Sequence, residues 1–222
     1  MLDEAPIFCV DMGTTRTRVW LVEDGRIWSS AAADFGIRDA ARGMTREVME
    51  TSLRSLMKRL TAEAVHAGLM RKPVCIAAAG MITSPTGLRH LPHICAPAGL
   101  GELGRSVEQT QFNIDEMLPM YFVAGVATGD AKQSIDAALS SDLMRGEETL
   151  CVGLLAHHHI GADSAVLNLG SHWKWIFIDE ATPHREKPHF IDWGNDSRCA
   201  DPDSTCGCSS AGAPRESGCR VV

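Results

Sequence analysis

Three observations in the sequence predict an α/β domain. Segments with the alternating pattern of β-strands are interspersed with segments of helical periodicity, as in a sheet with crossover helices. Asp24-Gly25 separates two of these strand segments, and Asp-Gly is a strong hairpin signal. A strand–glycine–strand plan also occurs twice, at 10–20 and at 167–177.

Three strands open the predicted fold, at residues 7–12, 16–22 and 26–32. The first is an apolar run that ends on a carboxylate, and the second alternates in character. The second and third strands are joined through Glu23-Asp24-Gly25 as a hairpin. The turn from the first strand to the second contains Gly13, whose lack of a side chain suits a close backbone approach.

A long amphipathic helix follows, from about Thr45 to Ala67. Its apolar residues recur at helical spacing, which predicts one face buried against the rest of the domain, and Gly68 supplies the stop. The predicted buried stripe consists of Val48, Leu53, Leu56, Met57, Leu60 and Ala64.

The remaining elements are shorter. Small residues that end at Gly80 indicate a strand, and glycine and proline then mark an irregular stretch. The predicted order is a strand at 74–79, a loop at 84–101, a helical segment, a strand through 121–123, helices at 133–139 and 147–157, and a strand pair at 164–169 and 173–178.

The composition excludes several classes of protein. The chain of 222 residues has a formal net charge of −7, which argues against the basic surface of a nucleic-acid-binding protein. No apolar run reaches the roughly 18 to 20 residues of a membrane span. The N-terminus, MLDEAPIF, lacks a basic region, so we expect no signal peptide and a cytoplasmic protein. The sequence leaves homo-oligomer formation open.

The repeated plan predicts a phosphate site. Asp11 in the first copy stands where Asn168 stands in the second, and Gly13 stands where Gly170 does. Two facing glycine turns can clamp an oligophosphate, because the backbone can approach it and N–H groups and hydroxyls can donate to its oxygens. The alternative is two ordinary hairpins with a glycine in each turn.

Four stretches of the sequence resemble ATP-dependent sugar kinases. DMGTTRTR at 11–18 resembles the first phosphate motif of the actin and hexokinase ATPase superfamily. AGMITS at 79–84, MRGEET at 144–149 and LGSHWKW at 169–175 resemble the 2-dehydro-3-deoxygalactonokinase family. The resemblance covers roughly residues 7–180.

The resemblance implies an actin-like ATPase (ribonuclease H-like) fold, with ATP and Mg²⁺ as cofactors and a small sugar acid as substrate. The implied reaction moves the γ-phosphoryl group of ATP to the 6-hydroxyl of 2-dehydro-3-deoxy-D-galactonate, in galactonate catabolism. Phosphoryl transfer of this kind depends on positioning and charge neutralisation more than on covalent chemistry.

Residues near the two glycine turns are expected to bind the nucleotide. Asp11 at a strand end can hold Mg²⁺ through its waters, although an ordinary turn carboxylate is the alternative. Arg16 is a candidate cationic helper, and Arg18 on the same face is equally eligible. Lys174 either reaches phosphate or is a solvated strand residue. The remaining expected phosphate-binding residues are Gly13, Thr14, Thr15, Gly170, Ser171 and His172.

Residues of the other two motifs are expected to serve the sugar acid. Glu147 and Glu148 are both candidates for the general base that accepts the hydroxyl proton, and the alternative is an acidic first turn favoured by the helix dipole. Arg145 can bind the substrate carboxylate in bidentate fashion. The expected pocket-lining residues are Gly80, Met81 and Ser84.

The resemblance stops at about residue 180, as a truncation or a shifted reading frame would produce. The sequence predicts an N-terminal ATPase and sugar-binding domain at 1–160, the start of an incomplete second ATPase domain at 161–194, and a disordered tail at 195–222. The stretch after Glu180 shows no strand or helix periodicity. The alternative function is therefore a catalytically dead remnant or a sugar-binding protein without the adenine half, with negligible phosphorylation.

Overall fold

The computed structural model describes residues 5–114, 116–128, 142–161, 164–169, 173–179 and 189–195. The chain divides into two compact units. The first unit consists of residues 1–94, 100–127 and 143–150, and the second of 95–99, 128–142 and 151–222. Three predictions lie outside the described residues, namely the helix at 133–139, the turn at 170–172 and the tail beyond Asn195.

A six-stranded sheet organises the first unit. Its strands are β1 Ile7–Met12, β2 Thr17–Glu23, β3 Arg26–Ala33, β4 Cys75–Gly80, β6 Glu108–Asn113 and β7 Met117–Phe122. They lie in the order β3-β2-β1-β4-β7-β6. The pairings of β4 with β1 and with β7 are parallel, and the other three pairings are antiparallel.

The predicted hairpin between β2 and β3 is confirmed. Asp24 and Gly25 form its two-residue turn, with φ angles of 50° and 70°. Two consecutive positive φ angles give the turn the twist that matches the flanking strands, and Asp and Gly tolerate that conformation. The turn thereby fixes the register in which the two strands pair.

The long helix is confirmed as α2, Arg46–His66, preceded by the short helix α1, Ile37–Ala41. The Thr45 hydroxyl caps α2 by accepting from the Val48 N–H. One residue of the predicted stripe was wrong, because Val48 is exposed and Met49 is buried. Met49 lies four residues before Leu53 and so shares its face. The observed stripe is Met49, Leu53, Leu56, Met57, Leu60 and Ala64.

The strand β4 follows α2 and lies beside β1 in parallel, as expected for a crossover connection. The register pairs Met12 with Gly80 and Asp11 with Ala79. A short 3₁₀ turn, Met81–Thr83, continues directly from β4. The end of β1 and the end of β4 therefore meet at the same edge of the sheet.

The segment before β7 differs from the prediction. Its helix, α3, is only Leu100–Arg105, and β6 then pairs with β7 along the edge of the sheet. The sequence of β6, EQTQFN, is polar because this edge strand buries only Phe112. Hydrophobic periodicity carries no signal for such a strand.

A second, small sheet consists of three two-residue strands. Its strands are β5 (Ile94–Cys95), β8 (Val126–Ala127) and β9 (Leu143–Met144), in that order. The helix α4, Glu147–Ala156, confirms the prediction at 147–157 and begins three residues after β9 ends. No helix within the described ranges is long and apolar enough to cross a membrane.

The second unit contains a three-stranded antiparallel sheet, in the order β10-β11-β12. The predicted pair is confirmed as β10, Ser164–Leu169, and β11, Trp173–Asp179. The expectation of no regular element after Glu180 was wrong, because β12, His189–Asn195, pairs with β11. The segment HFIDWGN has the aromatic and β-branched content of a strand, although it is too short for a clear period.

Candidate functional site

The turn between β1 and β2 is closed by its own backbone. The Gly13 N–H donates to the Arg16 carbonyl over 2.8 Å. The carbonyls of Gly13 and Thr14 accept from the first N–H groups of α1. A Cβ at Gly36 would lie 2.6 Å from the Gly13 oxygen, so the chain before α1 can approach the turn only because residue 36 is glycine. This packing fixes the turn that carries the predicted phosphate-binding residues.

Asp11, Gly80 and Gly146 converge at the edge of the sheet. A Cβ at Gly80 would lie 3.1 Å from Asp11 Oδ1 and 2.5 Å from the Met12 carbonyl oxygen. A Cβ at Gly146 would lie 3.2 Å from Gly80 Cα and 4.0 Å from Asp11 Oδ1. Both glycines have positive φ angles, 84° and 112°. The two glycines allow the three segments to approach one another closely around the Asp11 carboxylate.

The two arginines that follow the turn have different partners. Arg18 Nη1 donates to Asp11 Oδ2 over 2.9 Å. Arg16 donates through Nε and Nη2 to Asp34 Oδ1 in an exposed ion pair. The structure thus places Arg18 against the predicted metal-binding carboxylate. The assignment of Arg16 to the nucleotide remains a prediction.

Arg145 lies between β9 and α4 and donates to main-chain and side-chain oxygens. Its Nη1 contacts the Thr83 carbonyl at 2.8 Å and Thr83 Oγ1 at 2.5 Å. Its Nη2 donates to the Leu91 carbonyl at 3.1 Å and lies 3.2 Å from His93 Nδ1. Burial lowers the pKa of Arg145, an effect that the nearby Glu148 carboxylate opposes.

The two acids of α4 occupy different environments. Glu147 is partly exposed, and its Oε2 accepts from the Arg145 N–H over 2.9 Å. Glu148 is fully buried, and both of its oxygens accept from the Gly146 N–H, at 2.7 and 2.8 Å. Burial raises the pKa of Glu148 to about 7. Sequence reasoning placed both acids at a helix start but could not separate their surroundings.

The segment after β4 contains the expected sugar-binding residues. Met81 begins the 3₁₀ turn, and the N–H of Ser84 donates back to the Met81 carbonyl. Ser84 is buried, and its Oγ has no hydrogen-bond partner among the described residues. Thr83 is fully buried, and its hydroxyl donates to the Gly80 carbonyl. The sequence had suggested no role for Thr83. Its position in the AGMITS motif, three residues after Gly80, was the only signal for it in the sequence.

Lys174, a predicted phosphate-binding residue, belongs to the second unit. It lies on β11, is buried, and its Nζ is 3.7 Å from Asp142 Oδ1. The Asp142 N–H in turn donates to Thr128 Oγ1 over 2.8 Å. Nothing in the sequence marked Asp142 as a partner, because an ion pair across 32 positions leaves no local pattern. Gly170, Ser171 and His172 lie outside the described residues.

The donor set around Asp11 fits Mg²⁺. Among the residues that the structure describes, no three His, Cys, Asp or Glu side chains form a metal-binding group. Mg²⁺ binds characteristically through one or two carboxylates, with waters and substrate phosphates completing its shell. A single carboxylate at a strand end beside a hydroxyl-bearing turn matches that preference. Because positions 80 and 146 are glycines, neither places side-chain atoms beside the carboxylate.

Known proteins share this sequence pattern and fold. A family profile described as 2-keto-3-deoxy-galactonokinase matches residues 11–185. A curated protein of Rhizobium meliloti (strain 1021), named a probable 2-dehydro-3-deoxygalactonokinase, DgoK1, is 32% identical over 172 residues, which are 75% of this chain and 47% of that protein. A crystal structure of a protein from Sinorhizobium meliloti, named a putative 2-dehydro-3-deoxygalactonokinase, superposes with a TM-score of 0.59 at 22% identity.

The chain spans about half the length of these relatives. The superposition covers 85% of this chain and 52% of the Sinorhizobium chain, and it shows a shared mixed α/β fold. The family profile begins at Asp11, the predicted metal ligand, and includes all four sequence motifs. The chain therefore belongs to the 2-keto-3-deoxy-galactonokinase family.

Proposed function

We propose that the chain carries the first phosphate turn and the sugar-acid side of a sugar-acid kinase with an actin-like ATPase fold. The proposed reaction transfers the γ-phosphoryl group of ATP to the 6-hydroxyl of 2-dehydro-3-deoxy-D-galactonate, in galactonate catabolism. The observation that carries the proposal is the convergence of Asp11, Gly80 and Gly146. It brings together, within the first unit, the residues that precede the phosphate turn, the sugar-side segment and the helix α4.

The nucleotide side of the proposal rests on β1 and the turn after it. Asp11 would hold Mg²⁺, which would neutralise charge on the phosphates. Thr14 is partly exposed and Thr15 is exposed, so their hydroxyls are accessible to a phosphate. The Arg18 guanidinium lies beside Asp11 and is the proposed partner for the negative charge of the phosphates.

The general base of the proposed reaction is Glu147. A base must lie within hydrogen-bond reach of the hydroxyl that it deprotonates, and Glu147 is partly exposed whereas Glu148 is fully buried. The 6-hydroxyl oxygen forms a bond to the γ-phosphorus, and the bond from that phosphorus to the ADP oxygen breaks. The hydroxyl proton passes to the Glu147 carboxylate.

Glu148 has a different role in the proposal. Both of its oxygens accept from the Gly146 N–H, so the side chain holds the turn that packs on Gly80. A carboxylate in this position also satisfies a backbone donor at the start of α4. Glu148 is therefore a positioning residue.

A second candidate function is sugar-acid binding without turnover. The chain spans 47% of the length of the curated relative. Domain closure around ATP normally completes such a site and excludes water. A small-molecule partner and a cytoplasmic location accord with either candidate.

An ADP-release assay with ATP, Mg²⁺ and 2-dehydro-3-deoxy-D-galactonate separates the candidates. The kinase proposal expects sugar-acid-dependent ADP release that Glu147→Gln lowers by about 100-fold or more. Glu63→Gln, an exposed acid on α2, is the matched control and should retain the rate. Saturable sugar-acid binding without ADP release would support the second candidate. Neither binding nor sugar-dependent release would overturn both.

A further inference from the structure

The Arg145 guanidinium forms its described hydrogen bonds with a single segment of the chain. Its described partners are the Thr83 carbonyl and hydroxyl, the Leu91 carbonyl and His93 Nδ1, at 2.5 to 3.2 Å. All of them belong to the segment Thr83–His93, which precedes Arg145 by 52 to 62 residues. One side chain thus joins two parts of the first unit that are distant in sequence.

The Thr83–His93 segment is closed by its own backbone around these contacts. The Leu91 N–H donates to the Thr83 carbonyl over 3.0 Å, and that carbonyl also accepts from Arg145. The Gly87 N–H donates to the Ser84 carbonyl, which forms the tip of the segment. Arg145 therefore binds at the base of a loop, where Thr83 and Leu91 meet.

The geometry distinguishes a tether from a substrate-binding arginine. A carboxylate bound in bidentate fashion uses two parallel N–H donors of the guanidinium fork. Here both terminal nitrogens of Arg145 donate to protein carbonyls, and because the side chain is partly buried, loss of these acceptors is costly. The planar fork suits this task because it can bridge two carbonyls in fixed positions.

We propose that Arg145 is a positioning residue that locks the Thr83–His93 segment to the turn before α4. The tether sets the spacing between the segment that follows Gly80 and the acids Glu147 and Glu148. Its consequence for substrate binding rests on the proposed function, whereas the tether itself does not. This role replaces direct binding of the sugar-acid carboxylate, which the sequence motif had suggested for Arg145.

Hydrogen exchange of the ligand-free chain tests the tether. Loss of hydrogen bonds to a charged group at the base of the loop should speed exchange of the Leu91 amide by about tenfold or more in Arg145→Gln. Arg145→Lys keeps the charge but lacks the fork, so it should exchange as fast as Arg145→Gln. Arg89→Gln is the matched control, since Arg89 joins the same segment to Glu108 at the surface. In Arg89→Gln, the exchange rate of the Leu91 amide should stay within about threefold of the wild-type rate.

Exchange at Val10 and Leu21 in the central sheet reports whether each variant is folded. Both residues are buried, and their amides should exchange as in wild type if the change is local. Unchanged exchange at Leu91 in folded Arg145→Gln would overturn the tether. A wild-type exchange rate of the Leu91 amide in Arg145→Lys would also overturn the tether, because a positive charge alone would then be enough to protect that amide.

A sugar-acid titration separates this inference from the proposed function. Faster exchange at Leu91 together with weaker binding of 2-dehydro-3-deoxy-D-galactonate in Arg145→Gln supports both. Faster exchange with no sugar-acid binding by the wild type supports the tether and contradicts the proposed function. Lost sugar-acid binding with unchanged exchange would show that Arg145 contacts the substrate and would overturn the tether.

Discussion

Arg18 donates from Nη1 to Oδ2 of Asp11 over 2.9 Å, across the β1–β2 pairing in which these two residues are direct neighbours. Both side chains are about half exposed, at 48% and 41%. The Arg18 guanidinium therefore already contacts the carboxylate that is proposed to hold Mg²⁺. A metal ion that binds Asp11 must share this carboxylate with the guanidinium or displace it.

Arg18→Gln should strengthen binding of a divalent metal ion in the absence of nucleotide. An exposed ion pair contributes roughly 0–1 kcal/mol, so its removal should tighten Mn²⁺ binding by no more than about fivefold. Arg16→Gln removes the same charge from the neighbouring pair with Asp34 and should change affinity less. Electron paramagnetic resonance of free Mn²⁺ measures the binding. Weaker Mn²⁺ binding in Arg18→Gln would contradict competition for Asp11.

Gly80→Ala should destabilise the fold much more than Gly68→Ala. Both glycines have positive φ angles, 84° and 102°, but a Cβ meets nothing within 4 Å at Gly68 and lies 2.5 Å from the Met12 carbonyl oxygen at Gly80. Gly80 also has a ψ angle of −153°, in a region that is essentially restricted to glycine. We expect a loss of about 1 kcal/mol at Gly68 and roughly 3 kcal/mol at Gly80.

Urea unfolding of the two variants measures this difference directly. The linear dependence on denaturant gives the free energy of unfolding, provided that the slope stays the same in both variants. Equal losses at the two positions would mean that the ends of β1 and β4 are not in the close contact on which the candidate site depends.

The sequence predicted those parts of the fold that have a local signal. The β2–β3 hairpin follows from Asp24-Gly25, and α2 follows from its apolar spacing and the stop at Gly68. The helix face was wrong by one position at Val48, since both Val48 and Met49 are apolar and only packing selects between them. The strand β6 was missed because an edge strand that buries only Phe112 needs no apolar alternation.

The candidate site was predicted less completely than the fold. The motifs identified Asp11, Gly80 and the acids of α4, but their convergence depends on the parallel pairing of β1 with β4. Alternation along β2 put Arg16 and Arg18 on one face and could not select the partner of Asp11. The contacts of Arg145 with Thr83 and Leu91 involve main-chain carbonyls, which residue identity does not report.

The stability of the chain should depend on the titration of Glu148. Burial raises the pKa of this carboxyl from 4.5 to about 7, so the folded state prefers the neutral acid. The resulting stabilisation is fully present below about pH 4.5 and is lost as the pH rises through about 7. The shift corresponds to a decrease in the free energy of unfolding on the order of 3 kcal/mol.

Glu148→Gln should remove this dependence, because the amide oxygen can still accept from the Gly146 N–H and carries no charge. The free energy of unfolding of Glu148→Gln relative to wild type should rise between about pH 5 and about pH 8. Urea unfolding across this range measures it, with the surface variant Glu63→Gln as control. A difference that stays constant with pH would show that Glu148 does not titrate there.

The most direct test of the proposed function locates the sugar acid on the chain. Titration of ¹⁵N-labelled protein with 2-dehydro-3-deoxy-D-galactonate should shift the amide signals of Gly80, Met81 and Gly146 in a saturable way. The amides of Gly25 and Gly68, in turns outside the candidate site, should not respond. Absence of shifts at Gly80 and Gly146, or saturable shifts confined to residues outside the site, would contradict a sugar-acid site at this edge of the sheet.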